Sequence, residues 1–255
     1  MKLYIKQSLS MLLNIGLIGT DLNSLVGNNS PVRYVSTGLM GQIPRQSIVE
    51  FKLPPKGAPG RRRGKPLERR GGCKATSKKR LTALIPPTNL GRTVSPRPSF
   101  WISVPYKLSS PREVMFKLVD KQASQKIYKV RVAVSGDPGI LSIILPESAS
   151  PLSIDKRYQW IFSLLCNPQD AEKDIVVHGY VERVKINPEM AAQLKIAKTP
   201  LEKIAVMADK GIWFDALTEL AHLRRKEPSN TVILQEWEAL LGDVGLEDLV
   251  TEPFR

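Results

Sequence analysis

From about residue 81 the chain is written in short apolar or alternating runs separated by Pro, Gly, Ser and Asp. Seven of these runs predict strands, over residues 81–85, 100–105, 114–119, 127–134, 140–145, 158–166 and 175–186. Runs at this spacing, with turn signals such as Ser135-Gly136-Asp137-Pro138-Gly139 between them, predict an antiparallel immunoglobulin-like β-sandwich over 81–187. The pairing order is open, so a barrel is the other solution. Tyr158, Trp160, Phe162 and Leu164 alternate and therefore line one face of a strand, a face that Cys166 continues. Tyr158 also stands where a sandwich of this kind places a tyrosine whose hydroxyl bonds back to the preceding loop; its other reading is a plain core aromatic.

After Asn187 the apolar period becomes helical. Asn187-Pro188-Glu189 and Thr199-Pro200-Leu201-Glu202 are helix starts, the second with the acidic residue three positions after its cap. Helices are predicted over 188–197, 200–210, 212–226 and 231–241. The whole is a mixed, mainly β protein: a sandwich followed by a small helical hairpin region over 188–255.

Composition changes the picture at the N-terminal side. The formal charge of +14 divides as +2 over residues 1–44, +11 over 45–80 and +1 over 81–255. The basicity thus belongs to one segment, and the rest is close to neutral. That segment is rich in Pro and Gly and has Phe51 as its one aromatic residue. Residues 31–80 are therefore expected to form a disordered basic linker, since they hold little apolar surface to offset the entropy of ordering. Arg61, Arg62, Arg63, Lys65, Arg69, Arg70, Lys78, Lys79 and Arg80 are its candidate polyanion contacts. The alternative is a solvated spacer whose charge keeps it extended. Ahead of it, Lys2 and Lys6 precede an apolar stretch over 9–19, so residues 1–30 read as an export signal. That stretch is too short to span a bilayer as a helix.

Cys73 and Cys166 are the two cysteines of the chain, 93 residues apart. Closing so long a loop stabilises a fold by about 4 kcal/mol in the chain-entropy model. An oxidising compartment would let the pair persist, so this disulfide and the export signal support each other; two unpaired thiols are the alternative. No metal site is expected, because two cysteines and the distant His178 and His222 lack ligand spacing. Asp170, Glu172 and Asp174 form the closest carboxylate cluster, better read as a solvated loop than as a calcium site. No nucleophile, base and orienting acid assemble from these residues, no cofactor motif is present, and catalysis is not expected. A site built from Asp170, Glu172 and His178 is the weakest of the functional readings.

Two resemblances add to this. Gly211-Ile212-Trp213-Phe214-Asp215-Ala216, followed by Leu220, Ala221, Leu223 and Pro228, resembles the second half of a tetratricopeptide repeat. The stretches Arg70-Gly71-Gly72-Cys73, Leu81-Thr82-Ala83-Leu84-Ile85-Pro86-Pro87-Thr88-Asn89-Leu90-Gly91 and Pro98-Ser99-Phe100-Trp101-Ile102-Ser103-Val104-Pro105-Tyr106 carry the other. So do Gly136-Asp137-Pro138-Gly139-Ile140, Lys156-Arg157-Tyr158-Gln159-Trp160, Cys166-Asn167-Pro168 and the run from Gly211. Together they make the chain similar to a cyanobacterial family known as domain of unknown function nine-two-eight. The resemblance implies an exported, cysteine-paired protein and brings no activity with it. Trp101, on a strand apolar on both faces, and Trp213 are the possible aromatic contacts for a partner; burial beneath the C-terminal helices is the favoured reading for Trp101. The expected role is a non-catalytic binding or interaction module of the cell envelope, whose partner is another envelope protein. The runner-up is a cytoplasmic nucleic-acid- or polyanion-associated protein acting through residues 45–80.

Overall fold

The computed structural model describes residues 47–54, 79–166 and 174–255. Eight strands precede four helices: β1 (Thr82–Ala83), β2 (Leu90–Thr93), β3 (Ser99–Val104), β4 (Leu108–Asp120), β5 (Gln125–Gly136), β6 (Gly139–Ile144), β7 (Lys156–Leu164) and β8 (Ile175–Arg183). The helices are α1 (Pro188–Ile196), α2 (Pro200–Asp209), α3 (Trp213–Lys226) and α4 (Thr231–Gly242), with a short 3-10 turn at Glu247–Leu249. Each helix start was legible. Asn187 accepts the Met190 N–H, and Thr199 and Glu202 close a reciprocal capping box.

The strands form two sheets, ordered β1-β3-β6 and β2-β8-β7-β4-β5. Pairing is antiparallel throughout both except at β2 and β8, which run parallel with Leu90 opposite Tyr180. The expected all-antiparallel arrangement is corrected here. β2 is a short strand of Leu-Gly-Arg-Thr with no alternation to announce it, and it pairs with the last strand rather than a sequence neighbour. Parallel pairing of this kind needs a long crossover, and residues 94–174 supply it.

The sheets meet face to face through aromatic rings. Phe100 of β3 packs 4.9 Å from Phe116 of β4 and 5.7 Å from Trp160 of β7. The alternating stripe Tyr158, Trp160, Phe162 and Leu164 is wholly buried, as its period required. The Tyr158 hydroxyl accepts the Ser153 N–H at 2.9 Å, so this residue is both core aromatic and loop tether. Strands β4 and β5 extend well beyond the apolar positions that announce them. Ser109, Ser110, Pro111 and Arg112 are exposed, and a register shift follows Leu108.

Gly179 of β8 shows how tightly the layers approach. A Cβ there would lie 2.6 Å from Ile85 Cδ1 and 2.7 Å from Trp160 Cζ2, both in fully buried side chains. Gly179→Ala is therefore expected to cost about 1–3 kcal/mol through overpacking. Urea unfolding of the two proteins, compared at equal slope, measures it.

Candidate interaction site

The residues immediately before the tether to β1 do not behave as linker. Val49 is 1% and Phe51 6% exposed, and both belong to the main hydrophobic core. The expectation of a featureless 31–80 is thus corrected for residues 47–54. Averaging composition over fifty positions hides an alternating Val49-Glu50-Phe51 step that buries every second side chain.

This segment, outside any helix or strand, lies across the helical region as a strap. Glu236 of α4, itself buried, is its main anchor. The Glu236 carboxylate accepts the Ser47 hydroxyl at 2.5 Å, the Ile48 N–H at 3.2 Å and the Val49 N–H at 2.9 Å. Asp243, the C-cap of α4, accepts the Phe51 N–H at 2.6 Å. The Lys52 N–H then donates to the Ala208 carbonyl of α2 at 3.1 Å, and its ammonium group is bonded to Asp209. The bonds from the Ile48, Val49 and Phe51 N–H groups to Glu236 and Asp243 are charge-assisted and stronger than their neutral counterparts. Burial pushes the Asp243 carboxyl above its ordinary range despite the Phe51 N–H, whereas the Lys52 ammonium holds Asp209 below it.

Gly211 is required by this docking. It sits at φ +70° between α2 and α3, and a Cβ would lie 2.9 Å from the Lys52 carbonyl oxygen. Next to it, the Trp213 ring meets Phe51 edge-on at 4.8 Å, while its indole N–H donates to the Leu84 carbonyl at 2.9 Å. Ile48 turns the other way, 49% exposed, into an apolar groove of about 540 Å³ lined also by Ile196, Ala197, Ala205 and Val206. Ile196 is 74% exposed there.

Neither tryptophan proposed for partner contact is available for it. Trp101 is 1% exposed, and its indole N–H donates to Thr218 Oγ1 at 2.9 Å; Trp213 is fully buried. Each N–H finds its acceptor within the chain, which is why a strand apolar on both faces is covered on both. Of the basic set, Lys79 and Arg80 are described, both exposed. Lys79 pairs with Glu252 at 2.5 Å, and the Arg80 carbonyl accepts the Thr82 hydroxyl. Arg61, Arg62, Arg63, Lys65, Arg69, Arg70 and Lys78 lie outside the described residues, as do Cys73, Asp170, Glu172 and the proposed signal. Asp174 accepts the Cys166 N–H at 3.2 Å where β7 ends. His178 lies on β8 opposite Ile161, and His222 lies on α3 with its ring 6.2 Å from that of Trp101. Among the described residues no group of His, Cys, Asp and Glu could hold a metal ion, and no helix is long and apolar enough to cross a membrane.

A second carboxylate fastens the helices to the sheets. Asp215 in the first turn of α3 accepts the Val94 N–H at 3.2 Å. It lines a cleft of roughly 200 Å³ with Thr93, Ser95, Arg97, Phe214 and Glu219. Like Glu236, it spends its oxygens on backbone donors. Glu236, Asp243 and Asp215 thus each hold main chain.

Residues 43–254 match the family model called Domain of Unknown Function (DUF928). The chain belongs to the DUF928 family. The match takes in the strap, both sheets and all four helices. No curated protein matches this DUF928 chain.

Two measurements probe the site. Glu236→Ala strips the acceptor from the Ile48 and Val49 N–H groups and is expected to destabilise the protein by about 1–3 kcal/mol, Glu236→Gln by less. Urea midpoints separate the two. For Asp215, burial raises the folded pKa, with the Thr93 hydroxyl and the Val94 and Ser95 N–H groups opposing. The folded chain then holds this proton more tightly than the unfolded chain. The resulting stability is complete below the unfolded value of about 3.9 and is lost as pH rises through the folded one. The stability of wild type relative to Asp215→Asn should therefore fall as pH climbs above the unfolded value of about 3.9, read from urea midpoints.

Proposed function

We propose that this DUF928 chain is an exported, non-catalytic protein-interaction module of the cell envelope. The observation that carries the reading is the strap. A helical face grips a segment of irregular backbone through carboxylates that accept its N–H groups, which is how a protein surface holds a peptide. The β-region is the immunoglobulin-like platform for that face, supported by the Tyr158 tether to Ser153, although the parallel β2–β8 pair departs from the class. The helices are tetratricopeptide-like, supported by Gly211 at the turn between α2 and α3. Helix pairs of this type rarely stand alone, and here α3 leans on the sheets through Phe214, whose ring is 5.3 Å from that of Phe100.

Export rests on the Lys2 and Lys6 flank and the apolar stretch over 9–19, together with a Cys73–Cys166 disulfide. Intact mass of the protein recovered from fractionated native cells, with and without thiol alkylation, tests both. A shortened N-terminus and two unalkylated cysteines are expected; a full-length chain alkylated at both, found in the cytosol, overturns the assignment.

A second reading is favoured by the +11 charge concentrated in residues 45–80 against +1 for residues 81–255. In it Arg61, Arg62, Arg63, Lys65, Arg69 and Arg70 bind a polyanion, nucleic acid included, by counterion release. Affinity for heparin or DNA would then fall steeply with salt and vanish when these six become serine.

A further inference from the structure

The strap is attached like a ligand. It makes no strand or helix pairing with the body. Its bonds run to Glu236, Asp243, Ala208 and Asp209, which belong to the ends and faces of α2 and α4. Twenty-four residues then separate Pro54 from Lys79 in the sequence. What the helices recognise is a short pattern: a hydroxyl at Ser47, backbone N–H groups at 48 and 49, apolar side chains at Val49 and Phe51, and a cation at Lys52. The strap also leaves the site partly unfilled, because Ile48 and Ile196 stay exposed over the apolar groove of about 540 Å³.

We propose that the α2–α4 face is a peptide-recognition site, occupied in this chain by its own residues 47–54. In a complex it takes the matching segment of a partner protein, of pattern Ser-Φ-Val-x-Phe-Lys with Φ a larger apolar residue than Ile48. The partner segment makes the same backbone bonds to Glu236 and Asp243 and fills the groove that Ile48 leaves open. The strap is then an internal competitor, present in every copy of the chain, which a partner must outbid by better contact. This inference deepens the interaction reading above and rests on it for its biological setting.

The test uses the full chain and two fluorescein-labelled octapeptides, one with the sequence of residues 47–54 and one with phenylalanine in place of Ile48. Full-length Val49→Ala/Phe51→Ala, whose strap is weakened, should bind the first peptide at least tenfold more tightly than wild type does. The phenylalanine peptide should bind more tightly still, and adding Glu236→Gln should cut its affinity about tenfold. Absence of binding by a variant that keeps its far-ultraviolet circular dichroism overturns the proposal. Should that variant fail to fold, hydrogen exchange in wild type decides. The Val49, Phe51 and Lys52 amides should exchange at least tenfold faster than those of Trp237 and Leu240; exchange only with global unfolding overturns it. Exchange of straps between differently labelled whole chains without uptake of free peptide also overturns it, in favour of a swapped dimer. A chain found reduced in the cytosol would remove the envelope setting and leave the peptide result standing.

Discussion

The indole of Trp213 is buried where three parts of the molecule come together, and its single N–H has to be satisfied there. It donates to the carbonyl of Leu84, whose own N–H donates to the carbonyl of Trp101 on β3. A buried indole N–H without an acceptor would cost on the order of 1–3 kcal/mol, so the start of α3 is fixed relative to the three-stranded sheet. The same ring carries Phe51 of the strap against it. One side chain therefore couples helices, sheet and strap, and movement in any of them is felt by the other two.

Around it, each neighbour in the run Gly211-Ile212-Trp213-Phe214-Asp215-Ala216 is committed to a different contact. Gly211 admits the strap, Phe214 reaches Phe100 and passes over Gly91 of β2, and Asp215 holds the backbone at Val94. Ala216 is fully buried and small. The distinctive residues of this run are used for assembly, and none is left exposed with its chemistry unspent. The same holds for Trp101, bonded to Thr218. This run thus forms a joint between a β platform and a helical face.

What could be read from sequence follows from where local pattern and tertiary contact agree. The starts of α1 and α2 were legible because Asn187 and Thr199 cap them locally; α3 and α4 were legible from their apolar period. The stripe from Tyr158 to Leu164 was legible because period and burial coincide. β2 was not, since Leu90, Gly91, Arg92 and Thr93 carry no alternation and owe their pairing to β8, some ninety residues away. At Trp101 the covered reading holds, with its indole bonded to Thr218 of α3; sequence alone could not choose, because aromatic residues with a polar tip look the same whether the acceptor is a partner or a distant segment of the same chain. The strap lay in plain sight as Val49 and Phe51, but its true partner is a glutamate 187 residues further on. No local rule reaches that far.

The energetics of the strap explain why such a segment can be both structural and exchangeable. Burying Val49 and Phe51 contributes about 1.5–3 kcal/mol each, and each hydrogen bond to the body adds about 1 kcal/mol or somewhat more where a carboxylate accepts it. Against this stands an ordering cost of about 1–2 kcal/mol for every residue fixed. For eight residues these terms are of similar size, so docking sits close to balance. A segment near balance belongs to the part of a protein that opens first. One more apolar contact, of the kind the groove beside Ile48 leaves unmade, is then enough to decide which chain occupies the face.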